Sequence, residues 1–268
     1  MCDLPLYYGF HWASGGIMRN GQLPTKLNKN VLLDVIFELR FSAKTGFSDL
    51  LPGSAKDLFG KIEKIEKTPL SEIPVQIREA DPNLLYQPTI RMQWKDTVLL
   101  VGDRSIGLGY GTQYPGWARF KSDIQQVLGC LSSIEMIEKI GRYSIKYVDF
   151  IPFSISQGLE TPYLVHVQLN DIEVRNSPIK VQVEKQEDFG SVLFDFAHPV
   201  QIRQGNGPVE TGSLISVDSV CHFKTGSTWD GFINNFERNI DSLHQINKEY
   251  FFGCLSEEIL EKLEPDYE

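Results

Sequence analysis

Two long amphipathic stretches, each opened by a tryptophan, constrain this chain more than any other feature. Within residues 114–131 the apolar positions are Trp117, Phe120, Ile124, Val127, Leu128 and Leu131. Their steps of three, four, three, one and three trace a single helical stripe. Later in the chain, Trp229, Phe232, Phe236, Ile240 and Leu243 repeat the pattern. Both copies place a Phe three residues after the Trp, and both follow a strand-rich region punctuated by glycine. A helix with one apolar face must lay it on something. The expectation is an α+β chain of two related halves, each a mostly antiparallel sheet covered on one face by a long helix. An arm over residues 1–30, a first half over 31–153 and a second over 163–268 complete the division. The polar stretch 154–162, with Gly158 and Pro162, is the seam.

The strands are read from alternation. Val31, Leu33, Val35, Phe37, Leu39 and Phe41 define one apolar face, while Glu38 and Arg40 share the other and are expected to solvate it. Residues 89–94, 97–102 and 105–110 form three runs joined by the two-residue links Lys95-Asp96 and Asp103-Arg104, which read as hairpins. Pro52 and Gly53 are expected to break the chain. A surface helix then follows, capped by Ser54 and carrying Leu58, Phe59, Ile62 and Ile65. A short strand at best is expected over 73–83. The first tryptophan helix can run as far as Lys139 before Gly141 ends it, and 142–150 is a strand. Strands over 163–174, 179–184, 191–197 and 213–223 precede the second long helix, over 228–252. A last helix is opened by Ser256, Glu257 and Glu258.

Charge narrows the function classes. The formal net charge of −9 comes without any run of basic residues, which disfavours non-specific binding to nucleic acid. Cys2, Cys130, Cys221 and Cys254 show neither C-x-x-C spacing nor a His at ligand distance, so no zinc site is supported and buried thiols are expected. No apolar run reaches the roughly 20 residues needed to span a bilayer, and the N-terminus lacks the pattern of a secretory signal. A cytoplasmic location without membrane contact is the expectation. The aromatic residues Tyr7, Tyr8, Phe10 and Trp12 in the arm suit either an irregular terminus or a clasp docked on the body or on another subunit. Met18 is an alternative start, which would make residues 1–17 a translation artefact.

No catalytic constellation stands out. Gly107, Gly109 and Gly111 precede a helix, but the third glycine comes one residue early for a dinucleotide fingerprint and Pro115 intervenes; close packing explains them better. His11, His166, His198, His222 and His244 have no partner at nucleophile or metal spacing and read as structural. Cys221 and His222 are strand neighbours, so their side chains point to opposite faces. No Gly-x-Ser-x-Gly elbow occurs, and no acidic cluster has metal-ligand spacing. Tyr114, Trp117, Arg142 and Tyr147 remain as a candidate recognition surface, because aromatic and arginine anchors dominate such surfaces.

Several stretches together carry a resemblance. They are Leu32-Leu33-Asp34-Val35-Ile36-Phe37-Glu38-Leu39-Arg40-Phe41, Tyr114-Pro115-Gly116-Trp117-Ala118-Arg119-Phe120, Arg142-Tyr143, Leu243-His244, Phe251 and Leu255-Ser256-Glu257-Glu258. From about residue 27 to the end, the chain resembles an uncharacterised prokaryotic family of about this length with sporadic distribution among bacteria. That distribution implies a mobile-element or defence context. The family has no agreed activity, so the resemblance transfers no catalytic residue.

The expected function is therefore a non-enzymatic protein-interaction module, self-associating into a homo-oligomer and acting with a partner encoded nearby, without cofactor or metal. The alternative is a small-molecule or nucleotide-binding protein, or an enzyme, with a pocket between the two halves. Arg142 and the glycine triplet would line that pocket.

Overall fold

Alternation decides the first long element: Val35, Phe37, Leu39 and Phe41 are buried, and the residues between them are only partly covered. The computed structural model describes residues 22–44, 46–159, 162–165, 167–169, 172–173 and 178–267. Its elements begin with β1 (Lys26–Leu27), β2 (Leu32–Ala43), α1 (Phe47–Phe59), β3 (Ile62–Lys67), α2 (Val75–Ala80), β4 (Pro88–Trp94), β5 (Thr97–Gly102) and β6 (Ser105–Gly109). They continue with α3 (Trp117–Leu131), β7 (Ile137–Pro152), α4 (Phe153–Ser156), β8 (Gln168–Leu169), β9 (Ile172–Glu173) and β10 (Ile179–Glu187). β11 (Gly190–Arg203), β12 (Val209–Ser227), α5 (Trp229–Gly253), α6 (Glu257–Lys262) and β13 (Pro265–Asp266) complete them. The fold is α+β with a large antiparallel sheet. Its strand order is β10-β11-β12-β7-β2-β6-β5-β4-β3. The expected features of the arm before residue 22 lie outside the described residues, as do His11 and His166.

The chain forms two compact units. The first holds residues 34–145 and 220–240. There β4, β5 and β6 make two tight hairpins, and β6 pairs with β2, all antiparallel. The stripe of α3 is buried as its spacing requires, at Phe120, Ile124, Val127, Leu128 and Leu131. The opening turns of α5 bury Phe232 and Phe236 against Tyr143, with ring centroids 5.6 Å from each, while the Tyr143 hydroxyl donates to Asn235 Oδ1 at 2.9 Å. A buried tyrosine hydroxyl with its partner in place avoids the desolvation cost of an orphaned polar group.

Local signals failed in four places here. α1 runs straight through Pro52 and ends at Gly60, whose φ of 75° lies in the left-handed region that glycine adopts readily. A proline inside a helix costs about 3 kcal/mol. Burial of Phe47, Leu51, Ala55 and Phe59, spaced four apart, outweighs that at roughly 1.5–3 kcal/mol for each large side chain. Ile62–Lys67, expected as the end of a helix, is instead the terminal strand of the sheet. Its Glu and Lys residues keep an open edge soluble. The chain leaves α3 at Leu131 and is already in β7 at Ile137, so Lys139 is a strand residue. The 73–83 stretch carries the short helix α2.

The second unit holds, among its described residues, 22–33, 146–219 and 241–267. β10 and β11 pair from Ile179↔His198 to Glu187↔Gly190. β1 pairs with β13, and Tyr163 bridges to Leu255. Ser256 caps α6 as its sequence requires, its hydroxyl accepting from the Ile259 N–H at 3.3 Å. Of the strand expected over 163–174, the described residues contain the two-residue pair β8 and β9. No helix among the described residues is long and apolar enough to cross a membrane.

Candidate functional site

The first unit carries an open cleft of about 660 Å³. β2 alternation turns Glu38, Arg40 and Ser42 away from the buried Phe37–Leu39–Phe41 face. Arg40 and Ser42 line the cleft from that strand. Lys139, Gly141 and Arg142 come from β7, Glu79 from α2, Leu85 and Tyr86 from the turn before β4, and Arg104 from the β5–β6 turn. His222 enters from β12. Its strand neighbour Cys221 is buried beside Asn235, so alternation leaves the imidazole on the opposite, exposed face. Gly226 has a φ of 73°, and a Cβ there would come within 3.2 Å of the Lys139 side chain. Glycine at that position keeps room for the lysine.

Electrostatics distinguishes this cleft from the rest of an acidic chain. Four cationic side chains, Arg40, Arg104, Lys139 and Arg142, line the cleft together with the carboxylate of Glu79. One oxygen of Glu38 accepts from both Arg40 Nε at 2.6 Å and Arg142 Nη2 at 2.8 Å. Arg104 Nη2 donates to Glu79 Oε1 at 3.0 Å. Counting Glu38 with Glu79, two positive charges are left over. The Arg40 guanidinium also lies over the Tyr86 ring, 4.5 Å from its centroid. Arg142 Nε is buried and has no hydrogen-bond partner. An arginine that spends one N–H on Glu38 and leaves another unanswered is still able to bind an oxyanion.

The four residues singled out from sequence occupy three places. Tyr114 and Trp117 meet around Phe120, edge-on, with centroids 5.9 and 6.2 Å away, and Tyr110 takes another edge of the same ring at 5.9 Å. They brace the start of α3. Arg142 lines the cleft. Tyr147 belongs to the second unit, where its hydroxyl lies 3.1 Å from His244 Nδ1. Burial, and then Lys248, pushes the His244 pKa down to about 3, so this histidine stays neutral.

The glycine triplet has a packing role. A Cβ at Gly107 would crowd Leu100 and the Phe37 carbonyl, both at 3.3 Å, and the Gly111 N–H donates to Asp34 Oδ1 at 2.9 Å. Sequence reasoning overlooked Arg104, Lys139 and His222 as site residues, and it read Glu38 and Arg40 as a solvated face. The available signal was the Glu-x-Arg pair on one strand face.

Other polar clusters are structural. Buried Asp123 accepts from Lys95 Nζ at 2.8 Å, from Arg119 Nε at 2.6 Å and from the Tyr110 hydroxyl. Burial alone would raise its pKa, but the hydrogen bonds from Lys95, Tyr110 and Arg119 hold the carboxyl below the usual range. Cys130, Cys221 and Cys254 are not joined in disulfides. Among the described residues no group of three or more His, Cys, Asp or Glu side chains is placed to hold a metal. No family model and no curated protein matches the sequence.

Proposed function

We propose that this protein binds a small anionic ligand in the cleft of its first unit. The observation that carries the reading is the surplus of cationic side chains there, with one arginine N–H buried and unanswered, in a chain of net charge −9. Field lines from like charges in a concave wall concentrate counter-ions, and guanidinium forks select carboxylate or phosphate oxygens. A volume of about 660 Å³ suits a metabolite-sized molecule. The lining residues all belong to the first unit, from its segments 34–145 and 220–240. Thermal unfolding with phosphate- and carboxylate-bearing metabolites tests it. Binding should raise the unfolding temperature, and Arg142→Gln should weaken it at least tenfold, since a hydrogen bond to a charged group contributes about 1.5–3 kcal/mol. A wild-type protein unmoved by every anion at millimolar concentration would remove the proposal.

A second reading keeps the self-associating module that acts with a partner encoded nearby. α3 and α5 flank a groove of about 620 Å³ with Leu128, Trp229 and Ile233 in its walls, and a second copy of the chain is the occupant we infer. Each helix follows a three-strand meander, β4–β6 or β10–β12, and each opens with a Trp edge-on to the Phe three residues later. That likeness supports an internal duplication. Light scattering should show a dimer that Trp229→Ala converts to monomer; a monomeric wild type at all concentrations sinks this reading.

A further inference from the structure

We propose that the ligand of the cleft is a mononucleotide, with its phosphate on Arg142 and Lys139 and its base against Tyr86; this rests on the anion-binding reading above. The cleft is not uniformly polar. Leu85 and half-buried Tyr86 form an apolar wall in a cleft whose charged lining is Arg40, Arg104, Lys139, Arg142 and the single carboxylate of Glu79. An inorganic anion or a sugar phosphate would use the cations and leave that wall in water. A nucleotide uses both, because every base has a π-face that stacks on an aromatic ring or a guanidinium plane, and its phosphate answers the charges. The Arg40 guanidinium covers one face of the Tyr86 ring, so a base extends that stack, on the ring's other face or on the outer plane of the guanidinium. His222 is exposed on the same cleft.

Length of ligand follows from charge. A nucleic-acid strand must lay successive phosphates along a basic track. Here the cations are gathered in one cleft of a strongly acidic chain, and beyond it the general field repels a polyanion. One nucleotide fits that pattern and a strand does not.

Calorimetry on the full chain separates the possibilities. The probes are the four ribonucleoside 5′-monophosphates, ribose 5-phosphate, inorganic phosphate and a short oligothymidylate, at near-physiological salt. At least one monophosphate should bind tenfold or more tightly than ribose 5-phosphate. Tyr86→Leu should erase that advantage, while Tyr86→Phe retains it. Lys139→Gln, at an exposed position, should weaken every phosphate ligand alike. Equal affinity for monophosphate and ribose 5-phosphate in the wild type overturns the nucleotide assignment and leaves anion binding standing. Tighter binding of the oligothymidylate than of any monophosphate overturns it in favour of a strand. If no phosphate compound binds, the nucleotide assignment falls, and the anion-binding reading then stands or falls on the carboxylate-bearing metabolites.

Discussion

Asp103→Ala is expected to lower the stability of the first unit by about 3–5 kcal/mol, the cost typical of leaving one buried charge without its partner. Asp103 and Arg78 are both nearly fully buried. Arg78 Nε donates to Asp103 Oδ2 at 2.7 Å and Nη2 to Oδ1 at 2.9 Å, a two-pronged pair in which charge and geometry reinforce each other. The Ser48 hydroxyl adds a bond to Oδ1 at 2.7 Å, and the remaining Arg78 donor reaches the Ile73 carbonyl. Burial by itself would raise the Asp103 pKa; the hydrogen bonds from Arg78 and Ser48 outweigh it and hold the carboxyl low. One carboxylate thus ties α1, α2 and the β5–β6 turn together. The immediate chain neighbours of the pair, Glu79 and Arg104, stand in the cleft wall and bond to each other. Loss of Asp103 should therefore weaken ligand binding as well as folding. Urea unfolding of Asp103→Ala, Arg78→Met and the double variant measures the effect. The double variant should be less destabilised than the sum of the singles, because it leaves no unpaired charge inside. Single-variant losses below about 1 kcal/mol would show that the pair carries little of the fold.

The sequence disclosed elements whose signals are local. β4, β5 and β6 were readable because two polar residues separate each alternating run. α3 and α5 were readable because their apolar residues recur at helical spacing, and α6 because Ser256 caps it at its first turn. α1 and β3 were misread because their state is settled by distant partners. Pro52 is a breaker until Phe47, Leu51 and Phe59 find a core, and Ile62–Lys67 has no strand pattern apart from its pairing with β4. The cleft failed for the same reason. Glu38 and Arg40 look like a solvated strand face until Arg142 arrives from 104 residues away. Arg142 itself could be noticed as an arginine opening a strand, but its role depends on Glu38, which no spacing rule connects to it.

The second unit holds two titratable groups, buried Asp149 and half-buried His244, whose effects on stability oppose each other, and removing either should tilt the pH profile in a direction fixed in advance. Burial raises the Asp149 pKa from 3.8 to about 7, and the His244 pKa falls from 6.5 to about 3. From about pH 4 to 7, folded Asp149 keeps a proton that the unfolded chain has released, so its contribution to stability is lost as pH rises. From about pH 6.5 down to 3, unfolded His244 takes up a proton that the folded chain refuses, so its contribution is lost as pH falls. Each slope has a limit of about 1.4 kcal/mol per pH unit, and between about pH 4 and 6.5 they cancel. Asp149→Asn should therefore gain on the wild type as pH rises, reaching an advantage of about 2–4 kcal/mol near pH 8. His244→Gln, which preserves a partner for the Tyr147 hydroxyl, should gain on the wild type as pH falls towards 4. Denaturant unfolding of the three proteins across that range reads both slopes as differences from wild type, so every other titrating group subtracts out. Parallel profiles would mean that neither group holds its shifted protonation state in the folded chain. The buried Cys254 thiol provides an internal check. Its pKa is raised first by burial and then by the charge of Asp149, so Asp149→Asn should make the thiol titrate at a lower pH than in the wild type.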